Sequence, residues 1–396
     1  MSLPLSGIRV VDLGQVYAAP YCTMQLAYLG ADVIKVEPPG TGESLRQLPG
    51  SVNATNYNFL MLNAGKRSMT LNLKRPRGRE ILLRLLETAD VLVENYAGGV
   101  MEKLELDYER LASRFPRLIY ASGKGYGSDS RWAQMGAMDF TVQAAAGMTD
   151  VTGYPDRPGV RTPATFIDMG TGSHLATGIL AALIDRGHTG RGQKVEVAML
   201  DTCVPAMTSL LAPVLEGRKL HRLGNRHWGI CPGNVYPASD GDVSIFCLTE
   251  SHWQVMARVI GREDLLADPR YEDRSTRLKI ADEVDAIIAD WSRAKSREEI
   301  VGLLATEGIP CAPVRSVEEL AADPETESRG MLRESQFPGR GSIKVLGSPL
   351  RLSDTSDTAD TVHMRPPVLG EHTIEVLGEI GIVADEVKTL QSEGVV

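Results

Sequence analysis

The sequence predicts an α/β fold on a mostly parallel sheet, with a smaller second unit that also contains strands. Three observations carry this reading. In the first third of the chain, short aliphatic and β-branched runs alternate with stretches whose apolar positions recur at helical spacing, the rhythm of βα units around a sheet covered on both faces. The chain has 396 residues, enough for two or three compact units. From residue 222 to 323 the texture changes to a β-containing stretch followed by short, charge-rich amphipathic helices.

The elements follow in order. Ile8-Arg9-Val10-Val11-Asp12-Leu13 reads as a buried strand. Apolar residues recur at helical spacing from 18 to 29, where Gly30 supplies a C-terminal stop, and Asp32-Val33-Ile34-Lys35-Val36-Glu37 is the next strand, ended by Pro38-Pro39-Gly40. A helix over 76–88, a strand at Val91-Leu92-Val93, a short helix over 108–115 and a strand at Leu118-Ile119-Tyr120-Ala121 continue the alternation. Ala164-Thr165-Phe166-Ile167 looks β-like. A buried apolar helix follows over 171–183, then a turn at Thr189-Gly190-Arg191-Gly192-Gln193, a strand at Lys194-Val195-Glu196-Val197 and a second long helix from near Leu200. In the second unit, 234–248 reads as strands around the turn Ser239-Asp240-Gly241-Asp242. The polar stretch 353–361 reads as a surface loop and 371–381 as a terminal helix.

Composition narrows the function. The 42 basic and 51 acidic residues give a formal charge of −9, without the clustered basic surface that nucleic acid requires. Apolar stretches are broken by Gly, Pro or a charge well short of the ~20 residues that span a bilayer, so neither a membrane nor a nucleic acid is expected as partner. Five cysteines are an odd number without a CxxC pair, which disfavours both a disulfide framework and a zinc knuckle and makes the cytoplasm the natural compartment.

Individual motifs divide the same way. Gly123-Lys124-Gly125-Tyr126-Gly127 follows a strand but places Ser128 where the dinucleotide fingerprint needs glycine, so it reads as a structural turn. His174 and His188 lack metal-ligand spacing, no metal site is expected, and no serine lies in a G-x-S-x-G elbow. Asp168, at the entry to the apolar helix, reads first as a helix-capping aspartate. The same position also suits a nucleophile, because the positive end of a helix favours an ionised carboxylate.

Beyond these local readings, the sequence resembles the family III CoA-transferases, the group of formyl-CoA transferase, carnitine CoA-transferase and the α-methylacyl-CoA racemases. The resemblance rests on Pro4-Leu5-Ser6-Gly7-Ile8-Arg9-Val10-Val11-Asp12-Leu13, Gly30-Ala31-Asp32-Val33-Ile34-Lys35-Val36-Glu37-Pro38-Pro39-Gly40, Leu62-Asn63-Ala64-Gly65-Lys66-Arg67-Ser68, Ala89-Asp90-Val91-Leu92-Val93-Glu94-Asn95, Thr189-Gly190-Arg191-Gly192-Gln193 and Leu369-Gly370-Glu371-His372-Thr373, in one order from end to end. It implies a Rossmann-like large domain formed by both chain ends (1–221 and 324–396), an inserted small α+β domain (222–323) and an interlocked homodimer.

The resemblance further implies that Asp168 is the nucleophile, forming in turn an anhydride and an aspartyl-CoA thioester. CoA and acyl-CoA enter as substrates and no prosthetic group is needed. The implied CoA contacts are Val16, Tyr17, Ala18, Leu71, Asn72, Lys74, Asn95, Tyr96, Lys103, Met138 and Asp139, with Arg46 a further candidate for phosphate. Backbone N–H groups of Gln15-Val16-Tyr17-Ala18 are candidate oxyanion donors. The acceptor is expected to be a small organic acid, a dicarboxylate among the candidates, with Arg222, Arg226 and His227 available for a second carboxylate.

Two other functions are weighed against this one. Racemases of the family carry Gly-His-Asp where this chain reads Ala137-Met138-Asp139, so one of the two proton-transfer bases is missing. A catalytically silent acyl-CoA-binding subunit is opposed by the presence of Asp168. Formyl-CoA transferase has arginine where Pro38 stands, lysine where Gly136 stands, and a glycine run where this chain reads Asn225-Arg226-His227-Trp228-Gly229-Ile230-Cys231-Pro232-Gly233-Asn234, which disfavours formate and oxalate.

Overall fold

A computed structural model describes residues 3–49, 55–355 and 364–396. The chain divides into two compact units, one of Met1–Met148, Arg161–Gly217 and Pro324–Val396, the other of Thr149–Val160 and Arg218–Asp323.

The first unit is organised by six strands, β1 (Arg9–Asp12), β2 (Asp32–Glu37), β3 (Arg67–Thr70), β4 (Val91–Glu94), β5 (Ile119–Lys124) and β6 (Lys194–Ala198). They pair in the order β3-β2-β1-β4-β5-β6, all parallel. The continuous apolar runs of the sequence follow from this, because neighbouring residues on a strand point to opposite faces and here both faces are covered. Val11, Ile34 and Leu92 pack against Ile81, Leu82 and Leu85 of α2 (Pro76–Leu86). Their neighbours Val10, Val33, Val91 and Val93 face Ala19, Cys22 and Leu26 of α1 (Ala18–Tyr28), with Leu175 and Ile179 from a later helix. Each such side chain contributes about 1.5–3 kcal/mol on leaving water. Helix α3 (Tyr108–Arg114) then leads into β5.

The strand order reverses between β1 and β4, the switch point at which open parallel sheets bind ligands beyond their strand C-termini. Three further helices flank that end: α4 (Asp139–Ala145), α5 (Phe166–Thr189) and α6 (Met199–Ala206), followed by α7 (Thr208–Leu215). A Cβ on Gly172 would lie 2.5 Å from the Ala18 carbonyl oxygen. Only glycine lets α5 approach the start of α1 this closely, which brings the first turn of α5 up to the loop after β1.

Several expectations are corrected. Residues 166 and 167, read as β-like, already belong to α5. The long helix expected from Leu200 is broken at Met207 into α6 and α7, with Pro205 and Pro213 each removing a helical N–H. The C-terminal part adds an antiparallel hairpin of Leu332–Phe337 and Gly341–Leu346, and a helix Ala384–Ser392 beyond the expected one, which spans Thr373–Glu379. The loop expected over 353–361 lies outside the described residues from 356 onward.

The second unit has a three-stranded antiparallel sheet in which Gly233–Ala238 and Gly241–Phe246 form a hairpin joined by Cys311–Pro313. Tyr236, Val243 and Ile245 from the sheet meet Trp253, Val284, Ile288 and Ile300 from the helices.

Candidate active site

A cavity of about 250 Å³ opens at the C-terminal end of β1, β4 and β5. The loop after β1 contributes Gln15, Val16, Tyr17 and Ala18, the loop after β4 contributes Asn95, Tyr96 and Gly98, and β5 contributes Gly123 and Lys124. Ala133, Met135, Met138 and Met199 supply apolar wall, and Asp168 and Thr171 reach in from α5.

Asp168 is the chemically distinctive member of this set. It is the third residue of α5 and only 8% exposed. The other buried carboxylates, Asp12, Glu37, Glu43, Glu94, Asp107 and Asp139, each accept hydrogen bonds. Among the described residues no group donates to the carboxylate of Asp168; only its backbone N–H is engaged, by Asp139 Oδ2 at 3.2 Å. Burial raises its pKa to about 7, with the negative charge of Asp139 adding to the effect. The sequence had suggested a capping role and a carboxylate held ionised by the helix. Neither applies, because the caps of this turn come from elsewhere and desolvation outweighs the helix end. Burial, and then the charge of Asp168, also raise the hydroxyl of Tyr17.

The loop after β1 is held in a strained path. Val16 adopts φ +64°, a left-handed conformation that β-branched residues avoid. A buried set of charges fixes it. Glu43 Oε2 accepts the Val16 N–H at 3.0 Å, and Lys35 Nζ donates to the Gly14 carbonyl at 2.7 Å while lying 3.8 Å from Glu43. Asp12 Oδ1 accepts the Gly14 N–H at 2.7 Å, while its Oδ2 takes Thr23 Oγ1 at 2.7 Å and Lys66 Nζ at 3.0 Å. Burial works to raise Asp12, yet Lys66 and Lys35 hold it below the usual carboxylate range, whereas burial brings Lys66 down to about 8.

These bonds decide which oxyanion donors are available. The Gln15 N–H is taken by Asn95 Oδ1 at 2.8 Å and the Val16 N–H by Glu43, so half of the expected loop is committed. The Tyr17 and Ala18 N–H groups, at the start of α1, have no acceptor among the described residues.

Of the sequence-derived contacts, Val16, Tyr17, Ala18, Asn95, Tyr96 and Met138 line the cavity together with Asp168. Leu71 is 2% exposed in the core, and Asn72 is tied to the C-terminal segment through its Nδ2 and the Gly394 carbonyl at 3.2 Å. Lys74 and Lys103 are exposed, in the segments that follow β3 and β4, and lie outside the cavity wall. Asp139 does not line the cavity and instead caps the first turn of α5.

Arg46 is a correction. It is fully buried, its Nε and Nη2 are bound to Glu37 at 2.7 and 2.8 Å, and its guanidinium lies over the Phe59 ring, so its charge is committed to the fold. In the second unit, Arg226 is bound to Asp285 and Asp282, and Arg222 to Asp150 and the Tyr154 carbonyl, so neither offers an open fork to a second carboxylate.

Sequence reasoning passed over Lys124 and its glycines. Lys124 is held by Glu94 Oε2 and the Tyr96 carbonyl, both at 2.9 Å, and thereby braces the Asn95-Tyr96 loop. A Cβ on Gly125 would fall 2.1 Å from that of Ala137, so this glycine exists for close packing beside the cavity. The signal was present in Gly123-Lys124-Gly125 directly after a strand, once the comparison with nucleotide fingerprints is set aside.

Residues 5–373 match the family model of CoA-transferase family III. The chain is 36% identical over 413 residues to a formyl-CoA:oxalate CoA-transferase of Streptomyces coelicolor, covering 99% of both chains. It is also 36% identical over 404 residues to one of Rhodopseudomonas palustris, covering 96% of this chain and 94% of that one. Among solved structures, a CAIB/BAIF family protein from Brucella suis superposes with TM-score 0.84 at 32% identity, over 96% of this chain and 100% of the other. Rv3272 from Mycobacterium tuberculosis does so with TM-score 0.82 at 32% identity, over 94% of this chain and 98% of the other. The chain belongs to CoA-transferase family III.

Proposed function

We propose that this family III protein moves CoA from an acyl-CoA donor to a carboxylic acid, with Asp168 carrying the acyl group covalently. The observation that carries the reading is the isolation of that carboxylate, which is buried, raised to about 7, free of hydrogen-bond partners among the described residues and open to the cavity. A paired carboxylate would be stabilised and poorly nucleophilic. An unpaired carboxylate in a largely desolvated site retains its basicity.

In the proposed sequence a carboxylate oxygen of Asp168 attacks the thioester carbonyl. The C–O bond forms, the C–S bond breaks and CoA thiolate leaves a mixed anhydride. The thiolate then attacks the Asp168 carbonyl of that anhydride, giving an aspartyl-CoA thioester and releasing the donor acid. The acceptor carboxylate attacks this thioester to form a second anhydride. Returning thiolate opens it at the acceptor's acyl carbon, yielding the new acyl-CoA and free Asp168. The Tyr17 and Ala18 N–H groups, with the positive end of α1 behind them, supply donors for each oxyanion. Val16, Tyr17, Ala18, Asn95, Tyr96 and Met138 form the wall for the CoA arm, with Lys74 and Lys103 beyond it for phosphate. No prosthetic group enters this sequence.

The names of the relatives point to formyl-CoA and oxalate as substrates. Gly136 in place of lysine, no glycine run over 225–234, and Arg222 and Arg226 already paired together favour an acid other than oxalate, without a second carboxylate to be gripped. Racemisation is disfavoured because Met138 stands where the second base belongs and cannot exchange a proton. Two copies are proposed to associate as an interlocked homodimer in the cytoplasm. Ile184 on α5, Val204 on α6 and Leu215 on α7 are exposed apolar side chains that a partner would cover.

The test is a panel of acetyl-, succinyl- and oxalyl-CoA against mono- and dicarboxylates, run with the parent and with Asp168→Asn. Exchange by the parent and none by the variant is expected. Equal exchange by both would remove Asp168 from the mechanism, and α-proton exchange in deuterated water without transfer would restore the racemase reading.

A further inference from the structure

Asp139 was expected to touch CoA, and the structure gives it different work. Its side chain is 7% exposed at the first position of α4. Oδ2 accepts the backbone N–H groups of Ile167 at 2.9 Å and Asp168 at 3.2 Å. These are two of the four N–H groups that a helix leaves unpaired at its start, and the residue at the N-cap position of α5, Thr165, makes no side-chain cap. Oδ1 is itself held by Gln143 Nε2 at 2.6 Å. Gln143 in turn brackets Thr162, through the Thr162 carbonyl at 3.2 Å and the Thr162 N–H at 3.0 Å. The first turn of α5 is therefore clamped to α4 by the Asp139 carboxylate, and the segment leading into α5 by the Gln143 amide that this carboxylate holds.

We propose that Asp139 is a positioning residue for the transfer reaction: its carboxylate caps the first turn of α5, fixes Asp168 toward the cavity and presses a like charge on it. The inference rests on Asp168 being the nucleophile. An asparagine would keep one acceptor oxygen for the two N–H groups while giving up the bond from Gln143 Nε2. A carboxylate additionally opposes ionisation of Asp168, which keeps that group a stronger base once ionised and a poorer resting anion. Other titratable groups on the elements packed around this turn are differently disposed. Tyr17 and Tyr21, on the loop after β1 and on α1, are raised chiefly by burial, and Lys124 on β5 is paired with Glu94. Cys203 on α6 is raised to about 11 by burial, Asp139 and Asp201. Asp139 is the one charge identified as acting on Asp168.

The experiment compares Asp139→Asn, which keeps an acceptor oxygen without the charge, with Asp139→Ala, which keeps neither, using the best donor and acceptor from the panel above. Asp139→Ala is expected to lower kcat at least tenfold with KM for acyl-CoA within about twofold of the parent. Asp139→Asn is expected to retain most of kcat and to move the acidic limb of the pH–rate profile to lower pH. A second readout needs no substrate. The extra rise in Tm that Asp168→Asn gives at pH 8 over pH 5 should be at least halved in an Asp139→Asn background. Parental kcat in Asp139→Ala, an unmoved limb in Asp139→Asn, or a Tm difference independent of residue 139 would each overturn the proposal. Asp168→Asn in the same assay separates the two claims. If it is inactive while Asp139→Ala behaves as the parent, positioning alone fails; if it is active, the nucleophile assignment fails.

Discussion

Replacing Asp168 with asparagine should silence the protein and at the same time stabilise it, by an amount that grows with pH. The folded carboxyl group has its pKa at about 7 against 3.8 for an unperturbed aspartate, and burial is the larger cause. Between those values the native state binds a proton that the unfolded chain releases, so stability falls as pH rises through this window. The penalty is absent below pH 4 and complete above pH 7. At about 1.4 kcal/mol per pH unit it reaches about 2 kcal/mol at pH 5 and about 4 kcal/mol at pH 8. Asparagine has the same shape and no charge to desolvate, so it removes the penalty. For a cooperative transition of this size, about 4 kcal/mol corresponds to roughly 5 °C in Tm. Thermal or urea unfolding of parent and variant at pH 5, 6, 7 and 8 reads the difference directly. A gap that stays constant or shrinks with pH would show that Asp168 is not held in a hostile environment, and the argument for its reactivity would go with it.

Other outcomes follow from the same contacts. In the proposed mechanism Asp168 attacks as the anion, so kcat/KM should fall about tenfold per pH unit below a limb near pH 7 and level off above it, as a steady-state profile with one donor would record. Glu43→Ala removes the acceptor that holds Val16 in its left-handed turn and leaves Lys35 without its closest carboxylate; a loss of about 3–5 kcal/mol in chemical denaturation, with lower kcat, is expected. Gly125→Ala forces a Cβ against Ala137, which should cost about 1–3 kcal/mol and lower activity while circular dichroism stays parental. A Cβ at Gly136 meets nothing within 4 Å, so Gly136→Lys should fold normally and lower KM for acyl-CoA, with an effect that fades as salt is raised.

The parallel sheet was legible because strands buried on both faces must be apolar at consecutive positions, as Val10-Val11 and Val91-Leu92-Val93 are. Strand β3, Arg67-Ser68-Met69-Thr70, was not legible. It is short and polar, and its hydrogen bonds run to Asp32, His372 and Thr373, partners distant in sequence. The start of α5 was misplaced for the same reason, since its cap is Asp139, 28 residues upstream of Ile167. Asp168 itself was reachable only through the family resemblance, because the local pattern is indistinguishable from an ordinary cap. Arg46, Lys35 and Lys66 look in sequence like surface or phosphate-binding cations. Only the fold reveals that they are buried opposite Glu37, Glu43 and Asp12. Charge pairing at irregular separations, 9 residues for Arg46 and Glu37 but 54 for Lys66 and Asp12, leaves no periodic trace, whereas alternation of apolar residues does.

The central claim is that a covalent bond forms between substrate and Asp168. The most direct measurement incubates the protein with acyl-CoA in the presence of hydroxylamine, then maps the modified peptide by mass spectrometry. Conversion of the Asp168 side chain to a hydroxamate, dependent on acyl-CoA, is the expected result. Continued transfer of CoA between acids with Asp168 unmodified, or with the hydroxamate on another residue, would contradict the account.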